Sequence, residues 1–210
     1  QFDRVEITGS SIVRKQQTEA LPVQVITRDD IVKRGLGTVV EVLQRLPLMS
    51  GFNDASQLSD TIGGYANAGL HGLPNGTLVL IDGQRMAPYG RQSLGGYERS
   101  GVEIGQLPLM AVERIEILTD GASTRYGTDA MAGVVNIITR SSIRGVELHV
   151  SRSLPDREKG AGWRAGLAAG KGRLAADGYQ LTLAADVQRR EALMGADRPE
   201  ASQGRYFFEH

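Results

Sequence analysis

Residues 111–140 read AVERIEILTDGASTRYGTDAMAGVVNIITR, and the way this stretch folds decides the rest of the chain. Val112, Ile115, Ile117 and Leu118 form an apolar, β-branched run with charges between them, Thr119–Gly121 supplies a turn, and Gly133–Thr139 (GVVNIIT) is a second strand. The expected unit is strand, short helix, strand. Between the strands Ser123 or Thr128 is placed to cap a helical turn, and Gly121, Gly127 and Gly133 permit close approaches that a side chain would block. These residues alone define a compact α/β hairpin and no chemistry.

Toward the N-terminus, Pro22–Thr27 (PVQVIT) alternates apolar and polar residues behind a proline that can open a strand without donating to a ladder. Thr27-Arg28-Asp29-Asp30 has the spacing of a capping threonine with an acidic residue three positions on, followed by Ile31 and Val32 and stopped by Gly35. A second helix is expected from Thr38 as cap, with Val39, Val42, Leu43 and Leu46 at three-and-four spacing and Pro47 just past the end; those residues read as core packing. Thr77–Ile81 reads as a buried strand ending at Asp82-Gly83, and Gln84–Ala87 as its short return. An aspartate before a turn glycine is structural rather than catalytic.

Two long irregular stretches separate these elements. Residues 51–69 are rich in Gly, Ser, Asn and Asp, and residues 88–105 carry Tyr89, Arg91, Tyr97 and Arg99. Loops of this length inside a domain are usually functional or disordered. Their mixture of aromatics, arginine and amides suits stacking and hydrogen bonding on a polar or anionic ligand, beside the plain reading of solvated loops.

From Val146 the pattern changes to period two. Val146, Leu148 and Val150, then Trp163, Ala165, Leu167 and Ala169, then Leu181, Leu183, Ala185 and Val187 put apolar residues on one face of three strands. Outer-membrane barrel strands have this signature, and so does a soluble antiparallel meander. Ala176-Asp177-Gly178 suggests a tight hairpin between the second and third strands.

Composition narrows the classes. With 24 basic and 24 acidic residues the formal charge is zero, which sets aside a nucleic-acid binder. There is no cysteine, so no disulfide framework or thiol nucleophile exists, and the 27 glycines favour turns and short strands. No stretch approaches the ~20 apolar residues of a spanning helix. No HExxH, GxSxG or GxxxxGK[ST] pattern occurs, and His71, His149 and His210 are scattered. Glu113, Glu116, Asp120 and Asp129 read as surface charges or salt-bridge partners rather than metal ligands. No enzyme activity, cofactor or metal is expected.

VERIEIL, GAS, YGTDA and GVVNIITR in unbroken register, with EVLQRLP at residues 41–47, resemble the plug domain of TonB-dependent outer-membrane receptors. The resemblance implies an α+β fold: a small mixed β-sheet plug with short helices and long loops, followed by antiparallel β-strands from the start of a transmembrane β-barrel. It divides the chain into a TonB-box-like extended segment (1–12), a plug domain (13–142), about three barrel strands (143–190) and a truncated loop or added tail (191–210). Three strands cannot close a barrel, so the sequence reads as a fragment whose open edges could support a strand-swapped dimer.

By the same resemblance the protein belongs to the outer membrane of a Gram-negative bacterium, with its N-terminus periplasmic. Asp3, Val5, Ile7, Thr8 and Gly9 fit the TonB box loosely, where a TonB-type energy-transducing protein would add a strand; a frayed terminal strand is the plain alternative. Asn53, Asp54, Gln57, Tyr65, Tyr89, Arg91, Tyr97 and Arg99 would face the solute, whether siderophore, cobalamin or oligosaccharide. Residues 154–160 would be an outer loop and 176–178 a periplasmic turn. Family plugs commonly carry arginines before the glycine that His71 precedes and where Thr119 stands; with both absent, Arg114 and Arg125 are the expected plug–barrel contacts. The competing reading is a soluble periplasmic binding module with a plug-like fold and no barrel. Residues 146–190 discriminate, because a soluble module must pack their apolar sides into a common core.

Overall fold

Two sheets organise the chain, and their residues are turned in opposite senses. The computed structural model of the 210-residue protein describes residues 23–50, 66–73, 76–87, 102–119, 122–153 and 161–191. In chain order the elements are β1 (Val23–Thr27), α1 (Arg28–Lys33), α2 (Val39–Gln44), β2 (Thr77–Ile81), β3 (Gln84–Arg85), β4 (Val112–Leu118), α3 (Ser123–Tyr126), β5 (Gly133–Thr139), β6 (Gly145–Ser153), β7 (Gly162–Lys171), α4 (Leu174–Asp177) and β8 (Leu181–Arg190).

The first sheet has the order β1-β4-β5-β2-β3, with β2 and β5 parallel and the other pairs antiparallel. Both of its faces are covered. On one, Ile115, Ile117, Val79, Val135 and Ile137 pack with Ile31 of α1 and Val39, Val42 and Leu43 of α2; on the other, Leu78, Leu80, Leu118 and Val134 pack with Ala122 and Ala130. This double burial is why TLVLI and GVVNIIT read as continuous apolar runs rather than as alternation. Gly133 makes the turn into β5 possible: it sits at φ +134, where a Cβ would stand 2.3 Å from the Leu118 carbonyl oxygen.

The helices begin where the sequence places them. Thr27 and Asp30 form a reciprocal capping box, with Asp30 N donating to Thr27 Oγ1 at 3.3 Å and Thr27 N donating to Asp30 Oδ2 at 3.1 Å. The Thr27 hydroxyl and backbone N–H bonds hold the Asp30 carboxyl below its ordinary range. Glu41 N donates to Thr38 Oγ1 at 2.8 Å to start α2. The expected cap of α3 differs: Ala122 occupies the N-cap position with helical backbone angles and no side-chain hydrogen bond, so Ser123 is already inside the helix. Thr128 follows Gly127, at φ +94, into a separate 3-10 turn over Thr128–Ala130 and caps nothing.

Asp82 is structural, as the turn spacing implies. At φ +50 it accepts from Thr139 N at 2.8 Å and from Thr139 Oγ1 at 2.6 Å, tying the end of β2 to the end of β5. The carboxylates of 111–140 behave as ion-pair partners: Asp129 meets Arg85, and Glu113 lies 3.9 Å from Arg140. Glu116 departs from the surface reading, for its side chain is fully buried and accepts from Arg114 Nε at 2.8 Å. Asp120 lies outside the described residues.

The second sheet is the antiparallel meander β6-β7-β8. Its register aligns Leu148 with Leu167 and Leu167 with Ala185, so the apolar positions share one face. That face is open: Val146, Leu148, Val150, Leu181, Leu183 and Val187 are all exposed. The Asp177-Gly178 hairpin expected from sequence is instead a longer connection over residues 172–180. Asp177 Oδ2 accepts from Arg173 N at 2.8 Å, which winds 174–177 into a helical turn, and Gly178 at φ +72 ends it.

Candidate functional site

The alternation in β6–β8 places a second set of residues on the face opposite the apolar one: Glu147 and His149, then Arg164, Gly166, Ala168 and Gly170, then Ala184, Asp186 and Gln188. This polar and small face receives the first sheet. Three small residues on β7 permit close approach. A Cβ on Gly170 would lie 2.1 Å from the Ile143 carbonyl oxygen, and one on Gly166 would lie 2.8 Å from Met110 Cγ. Met110, Ile143 and Ala168 close the contact as a small apolar seam, with Ala184 against it.

Charged groups frame the seam. Arg140, one residue beyond β5, grips Glu147 with both ends of its guanidinium, Nη1 to Oε2 at 2.7 Å and Nη2 to Oε1 at 2.6 Å. Its own N–H donates to the Ala111 carbonyl at 2.8 Å, which fixes where the side chain starts. Arg28 at the start of α1 donates Nη1 to the carbonyls of Leu109 and Val112 at 2.7 and 3.3 Å, and its Nη2 stands 3.9 Å from Glu147. From β8, Asp186 Oδ2 accepts from Leu109 N at 2.8 Å. The 3-10 turn over Leu109–Ala111 is therefore held from three sides: by Arg28, by Asp186 and by the Arg140 backbone.

The electrostatics follow from this arrangement. The hydrogen bonds that Arg140 donates to the Glu147 carboxylate raise its pKa above the ordinary value, outweighing partial burial. Burial lowers the Arg28 pKa, the nearby Arg140 cation lowers it further, and Glu147 opposes both. Bidentate Arg–carboxylate geometry is the strong, orientation-specific form of ion pair. The junction is thus a fixed docking geometry between sheet one and the three strands.

A cavity of about 340 Å³ lies between the α1–α2 segment and the inward side of the strand ends, lined by Arg34, Glu41, Arg45, Ser151, Arg164 and Gln188 among others. Arg164 reaches Gly37, where a Cβ would lie 2.8 Å from its Nη1. Farther along, Glu103 joins two stretches that follow the long loops: its carboxylate accepts from Ala66 N at 3.0 Å and from Gly105 N at 2.6 Å. Burial pushes this carboxyl above its ordinary range against the pull of both donors.

Of the residues singled out from sequence, Asp3, Val5, Ile7, Thr8 and Gly9 lie outside the described residues, as do Asn53, Asp54, Gln57, Tyr65, Tyr89, Arg91, Tyr97 and Arg99 and the loop 154–160. Arg114 is turned to Glu116 within the first sheet, and Arg125 is exposed with its guanidinium 5.5 Å from the centre of the Tyr126 ring. The side chains that join the two sheets are Arg28, Arg140, Glu147 and Asp186, which sequence reading passed over. The available signal was the placement of Glu147 and Asp186, single acids on the inward parity of strands whose other parity is apolar.

Residues 15–134, more than half of the chain, match the family model of the TonB-dependent receptor plug domain. The chain belongs to the plug-domain family of TonB-dependent receptors. An iron-regulated outer membrane virulence protein of Vibrio cholerae serotype O1 is 35% identical over 138 residues, which is 64% of this chain and 19% of that protein. Among solved structures, the siderophore receptor PirA from Acinetobacter baumannii matches 81% of this chain at TM-score 0.60 and 26% identity, with 25% of the receptor covered. The ferric citrate transporter FecA in its unliganded form matches 82% at TM-score 0.61 and 26% identity, with 26% covered.

The chain therefore spans about a fifth to a quarter of the length of these relatives. The mixed sheet is the plug, and β6–β8 correspond to the start of the barrel wall. These are the fold and relatives of transport receptors rather than of an enzyme, and the plug belongs to the outer membrane of a Gram-negative bacterium. The apolar sides of β6–β8 do not join a core with the plug, which is the arrangement a soluble module would have required.

Proposed function

We propose that this chain is the plug and first wall segment of an outer-membrane receptor that takes up a scarce ferric chelate, a siderophore or similar anionic iron complex, with energy from a TonB-type partner. The observation that carries the reading is the sense of β6–β8: small and polar residues toward the plug, apolar residues away from it. Iron is named in the relatives from Vibrio cholerae and in ferric citrate transport, and siderophore in PirA. The arginine-lined cavity beside the inward strand ends suits an anionic complex better than cobalamin or a neutral oligosaccharide.

In this reading the solute meets the loops carrying Asn53, Asp54, Gln57, Tyr65, Tyr89, Arg91, Tyr97 and Arg99. Glu103 holds the inner ends of those loops together. A TonB-type protein adds a strand to the segment Asp3–Gly9 and pulls, and the plug yields along the junction formed by Arg140, Glu147, Arg28 and Asp186, with Arg114 and Arg125 available to the remainder of the barrel. Two measurements test it. Uptake of radiolabelled iron as siderophore and citrate complexes by cells carrying the whole receptor should depend on the receptor and on residues 1–9. Pull-down by a periplasmic TonB-type domain should be lost when residues 1–9 are deleted; unchanged capture contradicts the coupling role.

A further inference from the structure

We propose that the cavity between the α1–α2 turn and the 151–153 end of the wall strands binds a multiply charged oxyanion, and that the bound anion fastens the first helical layer of the plug to the wall. This rests on the receptor reading above for the meeting of plug and wall, not for the identity of the solute. Cations enter the cavity, about 340 Å³, from both sheets. The plug supplies Arg34 at the end of α1 and Arg45 at the end of α2. The wall supplies Arg164 from its middle strand, with Ser151 and Gln188 as direct neighbours of the same parity on β6 and β8.

The balance of charge calls for a counter-ion. Arg152 and Arg189 line the same space, so five guanidinium groups meet one carboxylate, that of Glu41, and a surplus of four positive charges results. Glu41 Oε2 also accepts from Gly37 N at 2.8 Å, which fixes that carboxylate to the turn. Gln188 accepts from Arg164 Nη2 as a neutral amide and removes none of the charge. Arginine stays protonated in proteins, so titration cannot relieve the surplus. Arg34, Arg45, Arg152 and Arg189 are exposed and free to adjust to a ligand, whereas Arg164 is half-buried against the turn, where a Cβ on Gly37 would lie 2.8 Å from its Nη1. One fixed guanidinium thus stands among adjustable ones.

Size and chemistry select the class of ligand. At ~30 Å³ per water the cavity takes an oxyanion together with several waters, and it stands near the lower end of the ~300–1,000 Å³ usual for organic ligands. Guanidinium forks hold the paired oxygens of phosphate or carboxylate bidentately, and the Ser151 hydroxyl and Gln188 amide add neutral donors. A halide has no second oxygen for the fork and leaves most of the surplus in place. An anion bridging Arg164 to Arg34 and Arg45 would tie α1 and α2, the helices that follow β1, to the wall.

The test uses the whole receptor purified in detergent in phosphate-free buffer. Inorganic phosphate and chloride are titrated at matched ionic strength, with binding read by calorimetry and hydrogen exchange read at residues 34–45. Phosphate should bind saturably and slow that exchange, and chloride should do neither. Arg164→Gln should weaken phosphate binding roughly tenfold or more, the scale of a lost charge-assisted hydrogen bond. Arg34→Gln with Arg45→Gln, at exposed positions that bear little on folding, should weaken it roughly fivefold. Lys171→Gln, at the other end of β7, should leave it unchanged.

Ferric citrate separates two sources of the oxyanion, each consistent with the site. Competition with phosphate assigns it to the carboxylates of a transported chelate, and phosphate binding indifferent to ferric citrate assigns it to a free ion. Equal responses to phosphate and chloride overturn the proposal without any variant. Phosphate binding unchanged in both arginine variants overturns it as well. Chelate uptake by a receptor that binds no phosphate counts against the site alone, whereas phosphate binding through Arg164 in a receptor that takes up no chelate counts against the uptake reading and leaves the site standing.

Discussion

The plug sheet and the three wall strands use the same β-branched and aliphatic residues and bury them in opposite senses. In the plug, Ile115, Ile117, Val135 and Ile137 face helices and are at most 1% exposed. In the wall, Leu148 and Val150 are 70% and 67% exposed, and the buried positions on β7 are the small residues Gly166 and Ala168. The difference teaches that period-two alternation gives the amphipathic strand but not which side is inside. The solvent on the far side decides, and in the wall that solvent is lipid.

The comparison can be broken most forcefully at the glycine that lets the plug sheet close. Gly133→Val places carbon against the Leu118 carbonyl at φ +134. A loss of about 4 kcal/mol or more is expected from strain and overpacking together. The measurable outcome is a receptor degraded before it reaches the membrane. Next come paired truncations: Ile117→Ala should cost about 2–5 kcal/mol in chemical unfolding of the plug, while Leu148→Ala in detergent should stay within roughly 0.5 kcal/mol. Leu148→Arg sharpens the contrast, because in a bilayer it should cost about 2–4 kcal/mol near the midplane. If Leu148→Ala proves as costly as Ile117→Ala, the wall face is packed rather than free.

The junction is a smaller effect. Arg140→Ala and Glu147→Ala in a double-mutant cycle should show a coupling of about 1 kcal/mol, held down because Glu147 keeps 41% of its side chain exposed. Hydrogen exchange at residues 109–112 should speed up in Arg140→Ala, which keeps the backbone bond to Ala111 but loses the guanidinium contact to the Met110 carbonyl at 3.5 Å. Additive variants would show that Arg140 and Glu147 do not act as a unit.

The smallest effects are in the titrations, and their signs oppose. Asp30 has a lowered pKa, so its contribution is present above the ordinary value of 3.8 and is lost as pH falls through the depressed one. Glu103 has a raised pKa, so its contribution is present below the ordinary 4.5 and is lost as pH rises through the elevated one. Comparing wild type with Asp30→Asn and Glu103→Gln across acid pH should therefore give stability differences that change in opposite directions. Parallel changes would show that burial does not outweigh the Ala66 and Gly105 donors at Glu103.

Much of the plug was legible because its local signals agree with its packing. Thr27 and Thr38 start helices where cap spacing places them, and Asp82-Gly83 turns where the apolar run ends. Local rules failed where tertiary geometry took over. Ser123 lost the cap because Ala122 was already helical, and Asp177-Gly178 became a helical turn because the Asp177 carboxylate reaches back to Arg173. The junction residues were hidden for a different reason. Arg28 and Arg140 look like ordinary surface cations in sequence, and only the approach of β6 and β8 gives them Glu147 and the Asp186-held turn as partners.

The account turns on which side of the wall meets lipid, and one measurement addresses it directly. The chain has no cysteine, so cysteine substitutions for spin labels can be placed at Leu148 and His149, adjacent residues of opposite parity on β6. In the whole receptor reconstituted into bilayers, the label at 148 should collide readily with oxygen and poorly with a water-soluble nickel chelate. The label at 149, exposed but on the face turned toward the plug, should collide less with oxygen and more with the chelate than the label at 148. The reverse pattern, or ready access of the chelate to position 148, would contradict a lipid-facing wall.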